Sequence, residues 1–250
     1  EEQLNSEVTE AFLSFDNQPI AAGSVGQVYR ATLQDGVPVA VKVLRPGIEA
    51  QVAEDGRLLR KIAALASATS LGSQYDFVGL ADQVLDALGR ELDFRIEAQN
   101  TLRLDRCLEA SSFVPEGQLR LPQVVQNLSG QRVLVLEWID GDAILTDKAR
   151  LSLEKGPGLA TTTTALLGAF VEQYFVEGFF HADPHPGNLK VLSDGSVVLL
   201  DAGMVGVFDP RTRGNLLDLV LALINQDAAR ATDLLEQIAP PAQGVKVDRQ

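Results

Sequence analysis

The sequence has little cysteine and no long hydrophobic run. Its 250 residues include a single cysteine, Cys107, so no disulfide can form within the chain, and this indicates a reducing compartment. No apolar stretch reaches the roughly 18 residues that a membrane-spanning helix needs, and residues 1–15 are too acidic and too polar for a signal peptide. These absences predict a cytoplasmic protein. Because the first residue is not Met, we expect a fragment of a longer chain.

Basic residues are also scarce. Lys and Arg number 21 against 34 Asp and Glu, which gives a net charge of -13, and the positive charges are scattered along the chain. No nucleic-acid partner is expected, because phosphate backbones bind to clustered basic surface. The two histidines, His181 and His185, have the spacing of a zinc-binding helix, but Pro184 and Pro186 would break such a helix. The sequence therefore predicts no zinc site.

Hydrophobic patterning predicts strands with a helical insertion, followed mostly by helices, which is an α+β class. The predicted strands are 25–34, 37–44, 123–127, 132–137 and 197–200, and the predicted helices are 1–15, 49–67, 77–110, 159–177 and the region from 211 to the prolines at 240–241. A boundary near Asp140 would separate a small N-terminal β-sheet lobe, residues 1–140, from a helical C-terminal lobe, residues 141–250.

The segment 181–188 carries the strongest chemical signal. Asp183 and Asn188 are five residues apart, which is the spacing of the kinase catalytic loop H-R-D-x-x-x-x-N. Phosphoryl transfer needs a carboxylate near the attacking hydroxyl and metal ligands near the phosphates. Two prolines and a glycine fix a loop that can direct both side chains to one point. A proline-rich turn capped by an asparagine is the alternative.

A second carboxylate follows thirteen residues after Asn188. Asp201 ends an apolar strand and is followed by Ala202 and Gly203, where kinases have the metal-binding D-F-G pattern. An ordinary turn at the end of a strand is the alternative. The order of the two segments favours a metal ligand.

Lys42 lies inside an alternating apolar strand, where an ammonium is costly unless it is paired. Kinases pair this lysine with nucleotide phosphates and a helical glutamate, and Glu97 is the candidate here. A solvated helix face is the alternative for this glutamate and for Glu91.

Two weaker signals concern nucleotide binding. Residues 20–28 match the glycine-rich pattern G-x-G-x-x-G-x-V at Gly23, Gly26 and Val28, whereas Ala21 replaces the first glycine. Residues 133–141 end an apolar strand in a polar turn, which kinases use to bind adenine through backbone groups. A strand and its turn is the plain alternative. The predicted nucleotide-binding residues are Ala21, Ala22, Gly23, Ser24, Val25, Gly26, Val28, Lys42, Glu97, Glu137 and Ile139.

These pieces resemble the UbiB/AarF/ADCK atypical kinases over about residues 8–210. The segments 21–24, 91–98 and 181–188 carry the resemblance. It implies a bilobal protein-kinase-like fold, an alanine-rich nucleotide loop, the cofactors ATP and Mg²⁺, and kinase or ATPase activity. Carried over by position, Lys42 and Glu97 form an ion pair, Asp183 is catalytic, and Asn188 and Asp201 hold the metal. Glu91 and Asp93 belong to the regulatory Glu-x-Asp motif.

The resemblance also implies a biological setting, which is support of isoprenoid-quinone (ubiquinone-like) lipid biosynthesis. The expected partners are ATP, a quinone-precursor lipid, a membrane surface and other quinone-biosynthesis enzymes. The location would be peripheral, at a bacterial inner membrane or in an organelle. The sequence departs from the family in lacking the N-terminal Lys-x-Gly-Gln motif, in having Gly23 for a third alanine, and in having Ala202 for phenylalanine. Two other functions stay open: a nucleotide-switched pseudokinase scaffold and a small-molecule kinase.

Overall fold

The computed structural model describes residues 7–69, 72 and 75–239. The chain forms two compact units. One comprises the chain up to Ile48 together with Gly89–Gly206, and the other comprises Glu49–Leu88 together with the chain from Val207. The predicted α+β class is confirmed. The predicted lobe boundary at residue 140 stays a prediction.

Helices and short strands alternate along the described chain. The strands are β1 (Phe12–Phe15), β2 (Ala21–Ala22), β3 (Gly26–Leu33), β4 (Pro38–Leu44), β5 (Leu119–Arg120), β6 (Val133–Glu137), β7 (Asp142–Ala143), β8 (Phe179–His181), β9 (Leu189–Val191), β10 (Val197–Leu199) and β11 (Val205–Val207). The α-helices are α1 (Val8–Ala11), α2 (Ile48–Ser67), α3 (Phe77–Glu91), α4 (Phe94–Glu109), α5 (Asp147–Lys155), α6 (Leu159–Glu172), α7 (Pro210–Ile224) and α8 (Ala228–Ile238).

The first sheet is antiparallel, with the strand order β1-β3-β4-β6 and β2 paired to β3. The two long strands β3 and β4 form a hairpin, and Gly36 in its turn has a φ of 86°. Alternation buries Val39 and Val41 of β4 in a core on one face of this sheet. Ala40 and Lys42 therefore face the opposite side.

Three sequence predictions need correction. The helix predicted over 1–15 is confined to the four residues of α1 in the described part, because Phe12 pairs with Leu33 in β1 and is buried. The helix predicted over 77–110 is interrupted at residues 92–93, where Asp93 has extended backbone and caps α4. The strand predicted over 123–127 is reduced to one bridge between Val124 and Leu136, and a 3-10 helix follows at Gln126–Leu128.

The second sheet has the order β5-β10-β9-β7, and β8 pairs with β11 in a separate two-stranded sheet. The core between this sheet and helices α4, α5 and α6 contains Leu104, Leu153, Ala165 and Val197. The helix predicted over 159–177 is α6 followed by a π-helical turn, Gln173–Glu177, which ends at the left-handed Gly178. The π-turn delivers the chain to β8, which leads directly into the 181–188 segment.

In the other unit, the side chain of Leu85 packs against Gly56, and helices α7 and α8 pack through Ala222, Ala231 and Leu234. The helical region predicted from 211 is divided at Gln226, which has a φ of 57°. The prolines predicted to end it, at 240–241, lie outside the described residues. Among the described residues, we find no helix that combines the length and the apolar character needed to cross a bilayer.

Candidate active site

Strand β4 and helix α4 bring Lys42 and Glu97 together. The Lys42 Nζ lies 2.7 Å from Oε2 and 2.9 Å from Oε1 of Glu97, so the ammonium donates to both carboxylate oxygens. Its distance to Oδ2 of Asp201 is 3.7 Å, and it also lies 5.2 Å from the centre of the Phe94 ring. Glu97 is only 6% exposed. The lysine is therefore held between two carboxylates that belong to distant segments of the chain.

Burial and charge act in opposite directions on this pair. Burial lowers the pKa of Lys42, but attraction by Glu97 and Asp201 outweighs it, so the pKa is raised above its ordinary value. Burial is the larger influence on Glu97 and raises the pKa of its carboxyl against the attraction of Lys42. Lys42 is consequently held in its charged ammonium form.

The 181–188 loop holds Asp183 and Asn188 near each other. Pro186 begins a 3-10 turn over Pro186–Asn188, and His185 caps it by accepting a hydrogen bond from the Gly187 amide. The Asn188 side-chain amide lies 3.5 Å from the Asp183 carboxylate, at the outer limit of a hydrogen bond. This turn explains how residues five apart in sequence present their polar ends to the same space.

His181 connects this loop to the segment that carries Asp201. The Asp183 amide donates to Nδ1 of His181 at 3.1 Å, which leaves the proton on Nε2. Nε2 then donates to the Asp201 carbonyl at 2.6 Å. The histidine is 2% exposed, and its own amide donates to the buried side chain of Gln173 in the π-turn. These contacts fix the orientation of the loop relative to Asp201.

The segment 201–203 is fixed from two sides. The Gly203 amide donates to Oδ1 of Asp201 at 2.7 Å, which turns the carboxylate back along its own loop. Asn100, one helical turn after Glu97, donates to the Ala202 carbonyl at 3.2 Å. The sequence interpretation missed Asn100, which lies two residues beyond the segment 91–98, although its i,i+3 spacing from Glu97 places both on one helix face.

The 23–26 loop closes on itself at the end of the first sheet. The Gly23 amide donates to the Gly26 carbonyl at 2.9 Å, and Arg45 donates from its guanidinium to the Gly23 carbonyl at 2.8 Å. Ser24 contacts Glu91 through its hydroxyl at 3.4 Å. Ser24 is therefore a hydrogen-bond partner of Glu91. The other residue of this motif, Asp93, caps helix α4 and forms an ion pair with Arg95.

Residues 137–139, here called the linker, connect the two sheets at the side of the site. Arg120 makes two hydrogen bonds to the Glu137 carboxylate, at 2.7 and 2.8 Å. The Gln123 amide donates to the same carboxylate at 3.2 Å. The Glu137 carboxylate is thus hydrogen-bonded within the protein, and only the backbone of this residue is available to contact a ligand.

A cavity of about 600 Å³ lies between these segments, entirely within the first unit. Every residue that the sequence predicts for the nucleotide, metal, catalytic or regulatory site lines it. These residues are Ala21, Ala22, Gly23, Ser24, Val25, Gly26, Val28, Lys42, Glu91, Asp93, Glu97, Glu137, Ile139, Asp183, Asn188 and Asp201. The sequence interpretation missed Trp138 and Lys190, which also line the cavity.

The donor set fits MgATP. The amide nitrogen of Asn188 faces Asp183, so its amide oxygen is left for a cation, and Asp201 offers a carboxylate oxygen. Such oxygens are the ligands that Mg²⁺ prefers, together with phosphate oxygens of its substrate. Among residues 7–69, 72 and 75–239, no group of three or more His, Cys, Asp or Glu side chains forms a metal cluster. The apolar wall formed by Val28, Ala40 and Leu136 suits a flat base.

Comparison with known proteins decides the family. The sequence pattern of the ABC1 atypical kinase-like domain matches residues 1–235. The chain belongs to this family. An uncharacterized Synechocystis protein is 42% identical over 243 residues, which cover 96% of this chain and 60% of that protein. AarF domain-containing protein kinase 1 of Xenopus tropicalis is 34% identical, over 90% of this chain and 42% of its own. The predicted resemblance is therefore confirmed.

A solved structure has a similar fold. The complex of Rv3197 with erythromycin from Mycobacterium tuberculosis superposes with a TM-score of 0.69 and 25% sequence identity. The similarity covers 99% of this chain and 60% of that one. The ABC1 chain described here thus spans less than two thirds of the length of these relatives.

Proposed function

We propose that this ABC1 domain binds MgATP and acts as an atypical kinase or ATPase. The position of Lys42 carries the proposal, because its ammonium lies between Glu97 and Asp201 in a cavity that Asp183 also lines. A partly buried lysine fixed by a buried glutamate is prepared to meet phosphate oxygens. The description of the family and the name of the Xenopus relative support a kinase-type function.

Each polar group has a distinct task in this proposal. Lys42 binds phosphate oxygens, and Glu97 keeps its ammonium in position. Asp183 accepts the proton of the attacking hydroxyl or water, and Asp201 and Asn188 would hold Mg²⁺. The metal, when bound, neutralises charge on the phosphates. His181 keeps the Asp183 and Asp201 segments at a constant separation through its two ring nitrogens.

The biological role that we propose is support of isoprenoid-quinone lipid biosynthesis. The family resemblance of the sequence motifs is its support, and the whole protein would work beside a membrane surface with a quinone-precursor lipid and other biosynthetic enzymes. Hydrolysis of ATP by the protein in its natural length, with and without membranes and such lipids, tests this role. Stimulation by the lipids is expected, and equal rates in all conditions would contradict it.

A nucleotide-switched scaffold is the second candidate, and the Ser24–Glu91 contact favours it. A phosphate that binds at the 23–26 loop would compete with Glu91 for the Ser24 hydroxyl. Nucleotide binding would then change the contacts at the end of helix α3 without any chemistry. This candidate predicts binding with negligible turnover.

The Asp183→Asn variant separates the two candidates. We expect it to bind MgATP nearly as wild type does. In the described part of the chain, no hydrogen bond or ion pair joins Asp183 to Lys42 or Glu97, so the substitution leaves the phosphate-binding lysine in place. ATP turnover should fall by about a hundredfold or more, the usual contribution of a general base. Calorimetric binding and phosphate release are the two measurements.

Asp147→Asn is the matched control, because Asp147 is exposed in helix α5 and outside the cavity. It should leave both binding and turnover unchanged. Normal turnover in Asp183→Asn would remove the role assigned to Asp183, and no turnover in wild type would favour the scaffold.

A further inference from the structure

Arg90 lines the cavity from the last turn of helix α3. Its carbonyl accepts a hydrogen bond from the Asp93 amide at 3.2 Å, at the break between α3 and α4. The side chain is exposed, and no hydrogen bond or ion pair to its guanidinium is found in the part of the chain that the structure describes. An arginine side chain carries five N–H donors and keeps its charge at physiological pH. Arg90 therefore brings a cation with free donors to the wall of the cavity.

The two lysines that line the cavity already have partners. Lys42 lies between the carboxylates of Glu97 and Asp201. The Lys190 ammonium donates to the Ile139 carbonyl of the linker at 3.1 Å. The arginine in the same lining differs from both lysines, because all its side-chain donors are available to a ligand.

Strand register orders the parts of the cavity along the first sheet. At one end of β4, Val39 pairs with the linker. At the other end, Leu44 pairs with the last residue of the 23–26 loop. Lys42 lies between these two ends and faces the cavity. A nucleotide whose base lies against the linker and whose phosphates meet Lys42 therefore ends at the 23–26 loop.

The end of helix α3 lies at the same end of the cavity as the 23–26 loop. The hydroxyl of Ser24 in this loop donates to the Glu91 carboxylate at 3.4 Å, and Arg90 directly precedes Glu91. The C-terminus of a helix carries partial negative charge, and Glu91 adds a full negative charge, so both repel a phosphate group at this place. A cation beside the phosphate offsets the repulsion, and Arg90 supplies one.

We propose that Arg90 binds the terminal phosphate of the nucleotide and makes the site prefer ATP to ADP. The inference rests on the proposed MgATP-binding function. A planar guanidinium can donate two N–H bonds to one phosphate group, and such charge-assisted pairs are stronger than neutral hydrogen bonds. The two inner phosphates meet Lys42, nearer to the linker. Loss of the guanidinium should therefore weaken binding of ATP and spare binding of ADP.

The test measures the dissociation constants of ATP and of ADP, each with Mg²⁺, by calorimetry. In Arg90→Gln, that of ATP should rise by about tenfold, which corresponds to about 1.4 kcal/mol, and that of ADP by less than about twofold. Arg90→Lys keeps the charge and should lose less ATP affinity than Arg90→Gln. Arg57→Gln, at an exposed position of α2 outside the cavity, is the matched control and should change neither constant.

Salt provides a readout that a merely structural role of Arg90 would not move. Dissolved ions screen the attraction between an exposed cation and a phosphate group. The difference in ATP affinity between wild type and Arg90→Gln should therefore shrink as KCl is raised from about 0.05 M to about 0.5 M. A local distortion of the site would instead weaken ATP and ADP together at every salt concentration.

The outcomes separate this role from the proposed function. Equal weakening of ATP and ADP in Arg90→Gln, or no weakening of either, would overturn the role of Arg90 alone, because wild type would still bind nucleotide. Failure of wild type to bind either nucleotide would overturn the proposed function and this inference together. If Arg90→Gln does not fold, Arg90→Ala gives the same comparison, and an unchanged ratio of the two constants there would equally overturn the role.

Discussion

The two glycines of the 23–26 loop have different surroundings. A Cβ placed on Gly26 would lie 3.0 Å from the Val43 carbonyl and 3.1 Å from the Phe94 ring. At Gly23, only the Gly26 carbonyl comes near, at 3.8 Å. Neither glycine has a positive φ. Gly26 is therefore required by packing, whereas Gly23 has room for the methyl group of an alanine.

We predict opposite outcomes for two alanine substitutions. Gly26→Ala should lower the free energy of unfolding by about 1–3 kcal/mol, because the backbone of β4 and a buried ring must move to admit the methyl group. Gly23→Ala should leave it unchanged within about 0.5 kcal/mol. Urea denaturation followed by circular dichroism measures both. Equal destabilisation by the two substitutions would show that the loop is not packed as described.

Single residues also show what the sequence could and could not predict about the site. Lys42, Asp183, Asn188 and Asp201 were found because motif spacing fixes them along the chain. Lys190 was missed because β9 is three residues long, too short for its alternation to be read from sequence. Glu97 bonds Lys42, which is 55 residues away in the sequence. No local pattern indicates such a contact, and only the match to a known motif predicts it.

Among the elements, the interrupted helix shows where local pattern fails. The apolar residues of 77–110 keep helical spacing, so a single helix was predicted. The structure has α3 and α4, because Asp93 takes an extended backbone and its side chain accepts from the Arg95 amide. Aspartate is a common N-cap, so the break was readable in principle. The Phe94 amide donates to the Gln131 carbonyl, a long-range contact that no local pattern reveals.

Strand β5 and strand β6 are joined by the Arg120–Glu137 ion pair, which gives a pH prediction. Burial raises the pKa of Glu137, but hydrogen bonds from Arg120 and Gln123 outweigh it, so the pKa lies below its usual 4.5. A depressed pKa in the folded state stabilises the fold above the ordinary value. That stability is lost as the pH falls below about 4.5 toward the folded-state pKa.

Glu137→Gln should therefore cost about 1 kcal/mol at pH 7, and the difference from wild type should shrink as the pH falls from about 5 to 3. Denaturant unfolding of both proteins across this range measures it. The Glu109→Gln variant, at an exposed position of helix α4, should show no such trend. If the difference in unfolding free energy between the two proteins stays constant with pH, the ion pair contributes little, and the substitution destabilises the fold for another reason.

The whole molecule contains two units with their own apolar contacts, and the cavity belongs to one of them. Its net charge of -13 makes binding of a polyanion unfavourable in general. Carboxylates also outnumber cations in the lining of the cavity, so a bound polyanion would need a cation beside it. A cavity within one unit predicts that the effect of a bound nucleotide is unevenly distributed over the chain.

Hydrogen exchange with and without MgATP should show this distribution. A ligand that binds only the folded form slows exchange wherever opening destroys its site. We expect slower exchange at 20–28, in the linker and at 181–203, and unchanged exchange in α7 and α8. The Lys42→Met variant, which lacks the phosphate contact, should lose most of the effect. Protection centred on α7 and α8 would place the nucleotide elsewhere.

Two segments of the chain connect the two sheets: the linker and residues 120–123. The chain leaves β5 through residues 120–123, and this passage is hydrogen-bonded to Glu137 at the end of β6. The Glu137 amide donates to the Gln123 carbonyl at 2.8 Å, and the Glu137 carboxylate accepts from Arg120 at 2.7 Å. An isolated segment can rotate about its backbone bonds, whereas two hydrogen-bonded segments restrict each other's rotation. We therefore expect nucleotide to leave by lifting of the 23–26 loop, at the rate of a loop motion rather than of slower domain opening.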